Sequence, residues 1–279
     1  LSILAYALIG LGAGASGTSL LALLATACAA RRRAAAATIT WLMMIAGIAI
    51  TAGTVGAFLD PYTPALLLRI VGIVSLGAVV LTMLAIWGIE TRTGAQPLKA
   101  DGPVRFREGL AEIWAEPEAR NFTIFVFLSM TAYFMQELIL EPYAGLVFGM
   151  TPGQSTQLSG AQNGGVFLGM LTVGIAATGL RLGSIRHWVV AGCLGSAMSL
   201  GVITALGASG VAAMLTPAVV LLGFFNGMFA VAAIGAMMAL AGQGRGSREG
   251  TRMGLWGAAQ AMAAGFGGLV GAAAVDVMR

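Results

Sequence analysis

Long apolar stretches separated by short polar ones set the organisation of this chain. Eight apolar segments fall at roughly 2–29, 38–58, 65–89, 121–142, 159–180, 187–207, 215–241 and 253–275. Each is close to the about 20 residues that a membrane-spanning helix needs. The alternation of an outer-membrane strand is missing, so the pattern predicts an all-α bundle. Basic residues fall on alternate loops. Arg31, Arg32 and Arg33 fill the first loop, and Arg92, Lys99, Arg105, Arg107 and Arg120 lie in the third. Arg181 and Arg186 occupy the fifth, and Arg245, Arg248 and Arg252 the seventh. The second, fourth and sixth loops carry no Lys or Arg. By the positive-inside rule the odd loops are cytoplasmic, and Arg31, Arg32, Arg33, Arg245, Arg248 and Arg252 are candidates for contact with anionic lipid or a partner.

Composition supports a polytopic membrane protein. Mean hydropathy is +0.90; 58% of residues are hydrophobic and only 9% charged. An ordinary soluble domain carries about 25% charged residues. The formal charge of +4 reflects loop topology and does not point to nucleic acid. Cys28 and Cys193 lie in separate apolar segments, and His187 is the only histidine, so a His-rich metal site is excluded and no metal ligands are assigned. The glycine run at 10–17 sits inside an apolar segment with no strand before it, where helix packing explains it better than dinucleotide binding.

The third loop is the one break in composition. It divides the chain into three helices at 1–89, a cytoplasmic linker at 90–120, and five helices at 121–279. Within the linker, Phe106, Leu110, Ile113 and Trp114 recur at helical spacing, which predicts a short interfacial amphipathic helix. Placing Trp41 over Trp256 also brings Gly12 onto Gly227, Arg33 onto Arg248, Gly53 onto Gly268 and Gly56 onto Gly271. Parallel repeats of this kind relate two halves about an axis along the membrane normal. The arithmetic leads to a major facilitator superfamily-type helical bundle. Eight of twelve helices are then expected here, with three before Leu1 and one after Arg279. The first three end one six-helix half, and the other five begin the second.

Candidate chemistry concentrates in FMQELILEPYAGLVFGM at 134–150. Carboxylates are costly inside a bilayer and rarely sit there without a partner or a task. Glu137 and Glu141 are four residues apart and share a helix face; both are proton-coupling candidates. Gln136 precedes them. Gln162 and Asn163 open the fifth segment beside a small face of Gly160, Gly164, Gly165 and Gly169, where interhelical hydrogen bonding and packing compete with ligand contact. Asn226 and Gln260 are amides at membrane depth, and Trp256 lies one turn before Gln260. Nothing resembles a nucleophile–base pair or a phosphate loop, so no enzyme activity is expected.

The run ELILEPYAGLVFGMTPGQSTQLSGAQNGGVFLGML at 137–171 resembles the signature of the PucC/LhaA family, the bacteriochlorophyll-delivery branch of the major facilitators. The segment 223–268, with RMGLWGAAQA at 252–261, and TITWLMMIAG at 38–47 are similar to further helices of that family. The wording FGMTPGQSTQLSGAQNGG resembles the branch encoded among pigment-synthesis genes. The resemblance implies a light-harvesting complex assembly factor in the cytoplasmic or intracytoplasmic photosynthetic membrane of a bacterium. Its expected contacts are bacteriochlorophyll, antenna polypeptides and pigment-synthesis enzymes. On this reading Gln136 offers an amide oxygen to a chlorin magnesium. Trp256 offers a stacking face, with an interfacial anchor as its alternative role. Glu137, Glu141, Gln162, Asn163, Asn226 and Gln260 are pigment or substrate contacts. His187 is either an axial ligand or an interfacial histidine at a helix start. The alternative function is a proton-coupled secondary transporter of a small solute or pigment precursor.

Overall fold

The structure is a computed structural model. It describes residues 4, 8–12, 15–17, 19–20, 23, 33–89, 114–180, 182–242 and 249–277. Its long helices are α1 (Arg33–Phe58), α2 (Pro64–Ile86), α3 (Pro117–Phe148), α4 (Pro152–Val173), α5 (Ile185–Ser209), α6 (Leu215–Gly242) and α7 (Glu249–Val277). No strand occurs among the described residues. Among the described residues, six helices are long and apolar enough to cross a membrane: α1, α2, α3, α5, α6 and α7. The expected fifth segment is a helix too, but α4 carries Gln154, Gln157, Gln162 and Asn163 and falls outside that apolar class. Of the expected first segment only scattered helical positions are described. Most of the 90–120 linker, including Phe106, Leu110 and Ile113, lies outside the described residues.

The outer loop expected at 143–158 shrinks to three residues. α3 passes through Pro142 and ends at Phe148. A proline removes one backbone hydrogen bond, which membrane helices tolerate where neighbours compensate. Gly149, at φ 67°, then stops the helix, with its N–H donating to the Gly145 carbonyl and that of Met150 to Ala144. This is a left-handed C-terminal turn in which a side chain would be strained. Thr151 immediately caps α4. Its hydroxyl accepts from the Gln154 N–H at 3.2 Å, and the Gln154 side chain accepts from the Thr151 N–H at 3.0 Å, a reciprocal capping box. Beyond Val173 the helix continues as a π-turn, Gly174–Gly179.

The chain forms two compact units, one of Leu1–Met44 with Ala65–Gly102, the other of Ile45–Pro64 with Pro103–Arg279. In the first unit, α2 has no buried residue.

In the second unit the close packing is made by glycine. A Cβ at Gly165 or Gly169 of α4 would fall on the carbonyl oxygens of Val220 or Phe224 in α6. Likewise, a Cβ at Gly223 or Gly227 would fall on those of Gln162 or Val166 in α4. Both helices thus present a G-x-x-x-G face, and their backbones touch. On another face of α4, Gly160 meets Gly53 of α1, and Gly153 lies beside Gly56 and Asp60. α5 places Gly192 and Gly195 against Phe229 and Phe225 of α6, while α7 places Gly267 and Gly271 against Thr131 and Met135 of α3.

Asp60 sits at the N-terminus of α4. Its carboxylate accepts from the Thr151 hydroxyl at 2.5 Å and from the Gly153 N–H at 3.3 Å. An anion there satisfies an otherwise free backbone donor and complements the helix dipole. Asp60→Ala is expected to destabilise the protein by about 1 kcal/mol, within the range for lost caps. Asp60→Asn, which keeps the acceptor, should lose less. Thermal unfolding in detergent checks the order of the two variants.

Candidate functional site

The helix periodicity divides the polar run of α3 between two faces. Successive residues turn by about 100°, so Gln136 and Glu137 point in different directions. Gln136 follows the face of Ser129, Ala132 and Tyr133. With Cys193, Ser196, Ala197 and Leu200 of α5 and Asn226 and Phe229 of α6, these residues line a cavity of about 200 Å³. Every wall residue comes from the middle of its helix, so the cavity sits at mid-depth in the bundle.

The cavity has apolar ends and a polar centre. Toward the C-terminal end of α3, Leu140, Ala144, Ile203, Val219 and Leu222 form a buried cluster, with Tyr143 and Phe148 packed against it. The Tyr143 hydroxyl donates to the Ile203 carbonyl at 3.2 Å, tying α3 to α5 there. At the other end the rings of Phe125 and Phe229 meet edge to face, 6.0 Å apart. Between α3 and α5 the wall is open, because Ala132, Cys193, Ala197 and Leu200 are exposed.

Two amides define its chemistry. Asn226 is 5% exposed, and its Oδ1 accepts from the Ser196 hydroxyl at 2.8 Å. Its Nδ2 is buried without a partner, as is Nε2 of Gln136. Leaving one buried donor unmet costs about 1–3 kcal/mol. Two unmet donors lining one cavity therefore favour an occupant with hydrogen-bond acceptors. The hydroxyl of Ser129 is already committed to the Phe125 carbonyl at 2.7 Å.

The other candidates lie elsewhere. Glu137 and Glu141 keep their shared face on α3, and both are exposed. Glu141 accepts from the Ser159 hydroxyl of α4 at 2.5 Å, so this face meets α4 near the C-terminal end of α3. Asn163 donates to the Ser159 carbonyl of its own helix at 3.0 Å. Gln162 is buried, and its carbonyl abuts Gly223. Trp256 is fully enclosed. Its Nε1 donates to the Thr123 hydroxyl at 3.1 Å, and Phe122 meets its ring edge to face at 5.1 Å. Both ring faces are thus among protein atoms. Gln260, one turn on, is half-buried and is not among the cavity-lining residues. His187 is exposed at the start of α5, where its Nδ1 lies 2.6 Å from the hydroxyl of the capping Ser184. Arg31, Arg32, Arg245 and Arg248 lie outside the described residues, and only the backbones of Arg33 and Arg252 are described, both in helices.

Tyr133, Cys193 and Ser196 were not candidates from the sequence. Ser129, Ala132, Tyr133 and Gln136, then Cys193, Ser196, Ala197 and Leu200, each follow the i, i+3, i+4, i+7 spacing of one helix face, but nothing in the periodicity singles that face out from the others.

Long apolar helices around a largely apolar mid-depth cavity that holds two amides define a multi-pass helical membrane protein. The chain belongs to the PUCC protein family, whose profile matches residues 1–279. It is 73% identical over its whole length to the bacteriochlorophyll synthase 44.5 kDa chain of Rhodobacter capsulatus, spanning 65% of that protein. It is 28% identical to an uncharacterized protein of the puhA-bchM intergenic region of Rhodobacter capsulatus, over 98% of this chain and 57% of that protein. With Protein PucC of Cereibacter sphaeroides it shares 29% identity over 75% of this chain and 45% of the relative. The chain thus spans between about half and two thirds of these relatives. No solved structure matches it.

Proposed function

We propose that this protein is an assembly factor for light-harvesting complexes, binding bacteriochlorophyll or antenna polypeptides in the photosynthetic membrane of a bacterium. The observation that carries the reading is the mid-depth cavity in which Gln136 and Asn226 leave two amide donors unmet in apolar surroundings. The photosynthetic context comes from the relatives, one named as a bacteriochlorophyll synthase chain and another as PucC. The fold we infer is of the major facilitator type, supported by the parallel sequence repeat. The protein is assigned no covalent chemistry: it holds its ligand and hands it over.

The fit of the pigment is partial. A cavity of about 200 Å³ is below the about 300 Å³ at which pockets for drug-sized ligands begin, so it does not enclose a tetrapyrrole ring. It does fit a substituent of one. When bound, the pigment would supply only its light-absorbing ring and acceptor groups; Gln136 and Asn226 would orient it, and the apolar walls would exclude water. Antenna polypeptides would meet it at the open side between α3 and α5.

Two measurements test the reading. The full-length protein, purified from its native membrane in mild detergent, should carry near-infrared bacteriochlorophyll bands and antenna subunits after separation from mature antenna. A colourless protein without antenna, driving pH-gradient-dependent solute uptake in vesicles, would sink it in favour of transport. In cells, Glu137→Ala should lower antenna accumulation while the variant still inserts; unchanged antenna at equal expression removes Glu137 from the mechanism.

A further inference from the structure

We infer that the cavity between α3, α5 and α6 is a carbonyl-binding subsite. Its ligand is an apolar molecule with an ester or ketone oxygen, held by the amide groups of Asn226 and Gln136 and not through a metal. The inference rests on reading this cavity as the ligand contact of the assembly factor, and it names the chemistry recognised there.

Three observations converge on it. First, the unmet groups are donors. Ser196 holds Oδ1 of Asn226, leaving Nδ2 free, and the buried unpartnered atom of Gln136 is also the amide nitrogen. A pair of unmet N–H donors selects an acceptor such as a carbonyl. Second, most of the remaining wall surface is apolar: Ala132, Ala197, Leu200 and Phe229 lie beside the Tyr133 ring, and the Ser129 and Ser196 hydroxyls are already engaged within the protein. The ligand part that enters is therefore largely hydrocarbon, with its acceptor directed at the amides. Third, the volume admits a substituent or tail and excludes a macrocycle, while the exposed Cys193, Ala197 and Leu200 leave the α3–α5 side open for the remainder of the molecule. Ester and ketone carbonyls on apolar frames occur on tetrapyrrole pigments and, as esters, on acyl lipids. The two sources share the recognised chemistry.

Cys193 supplies the readout, since its thiol is exposed and lines the cavity. Purified full-length protein in detergent would be treated with N-ethylmaleimide, and modification of Cys193 followed by peptide mass spectrometry. The added probes would be phytyl acetate, phytane, a diacyl phosphatidylglycerol, bacteriochlorophyll and magnesium-free bacteriopheophytin. Phytyl acetate should protect Cys193, and phytane, which lacks the carbonyl, should not. Bacteriopheophytin should protect as well as bacteriochlorophyll. Protection by both pigments but not the phospholipid identifies a pigment source; equal protection by the phospholipid identifies a lipid ester. Asn226→Leu should raise the phytyl acetate needed for half-protection about tenfold, the equivalent of one hydrogen bond. Should that variant fail to accumulate, Gln136→Leu, at a half-buried position, makes the same comparison.

Equal protection by phytane and phytyl acetate, a need for magnesium, no protection by any probe, or an unchanged midpoint in the variant each overturns the subsite. Co-purification of pigment without carbonyl dependence overturns the subsite and leaves the assembly reading standing. Carbonyl-selective protection in a protein that never associates with pigment or antenna does the reverse.

Discussion

Trp256→Ala is expected to destabilise the protein by about 3–5 kcal/mol, the range for removing a large buried aromatic side chain. The indole is fully enclosed, packed against Met237 of α6 and Phe122 of α3. In a bilayer the gain from its burial comes less from leaving water than from close packing and from satisfying its N–H. Truncation removes the packing, opens a void where three helices meet, and frees the Thr123 hydroxyl. That hydroxyl still donates to the Ala119 carbonyl at 2.8 Å within its own helix, so the void dominates the loss. Thr123→Val separates the terms: it keeps the volume but leaves the buried indole N–H without an acceptor, and should cost about 1–3 kcal/mol. Thermal unfolding of both variants in mild detergent checks the ratio. A Trp256→Ala protein that melts within a degree or two of the parent would mean that the three helices do not meet there.

This residue shows how far the sequence reaches. Its position in an unusual string, one turn before an amide, marks Trp256 as notable. Its partner Thr123 lies 133 residues earlier, and nothing local connects the two. The same limit applies to the cavity. Gln136 and Asn226 are each legible as amides at membrane depth, because polar groups stand out against hydrocarbon. Their meeting is non-local, and the helices are apolar nearly all round, so periodicity does not say which face turns inward.

Boundaries failed for a different reason. Apolar windows end the fourth segment at Pro142 and delay the fifth to Ser159. The decisive signals were local: Gly149 as a left-handed stop and Thr151 with Gln154 as a capping box, both written in FGMTPGQ. Hydropathy weights neither, since cap and stop are matters of backbone hydrogen bonding. The polar character of α4, hidden by averaging over 159–180, follows from the same capped start.

Adjacent glycines in α4 give the other large effect, with opposite signs for the same substitution. Gly165→Ala places a methyl on the Val220 carbonyl oxygen of α6, a backbone atom that cannot swing aside. The two helices must part, and overpacking of this kind costs about 1–3 kcal/mol. Gly169→Ala, one turn on, meets the Phe224 carbonyl in the same way and should behave alike. At Gly164 an added Cβ has nothing within 4 Å. There alanine only restricts the unfolded chain and favours the helix, a gain of about 0.5–1 kcal/mol. Melting temperatures in one detergent should therefore fall for positions 165 and 169 and rise slightly for 164. A fall at all three would place a further neighbour against Gly164. No fall at 165 or 169 would mean that the α4 and α6 backbones are not in contact, and the glycines of 223 and 227 would then need another explanation. The contact matters beyond stability, because Gly223 and Gly227 bracket Asn226. Seating α6 against α4 through those glycines leaves Asn226 on the side of α6 facing α5, where Ser196 holds its oxygen and its nitrogen remains for a ligand.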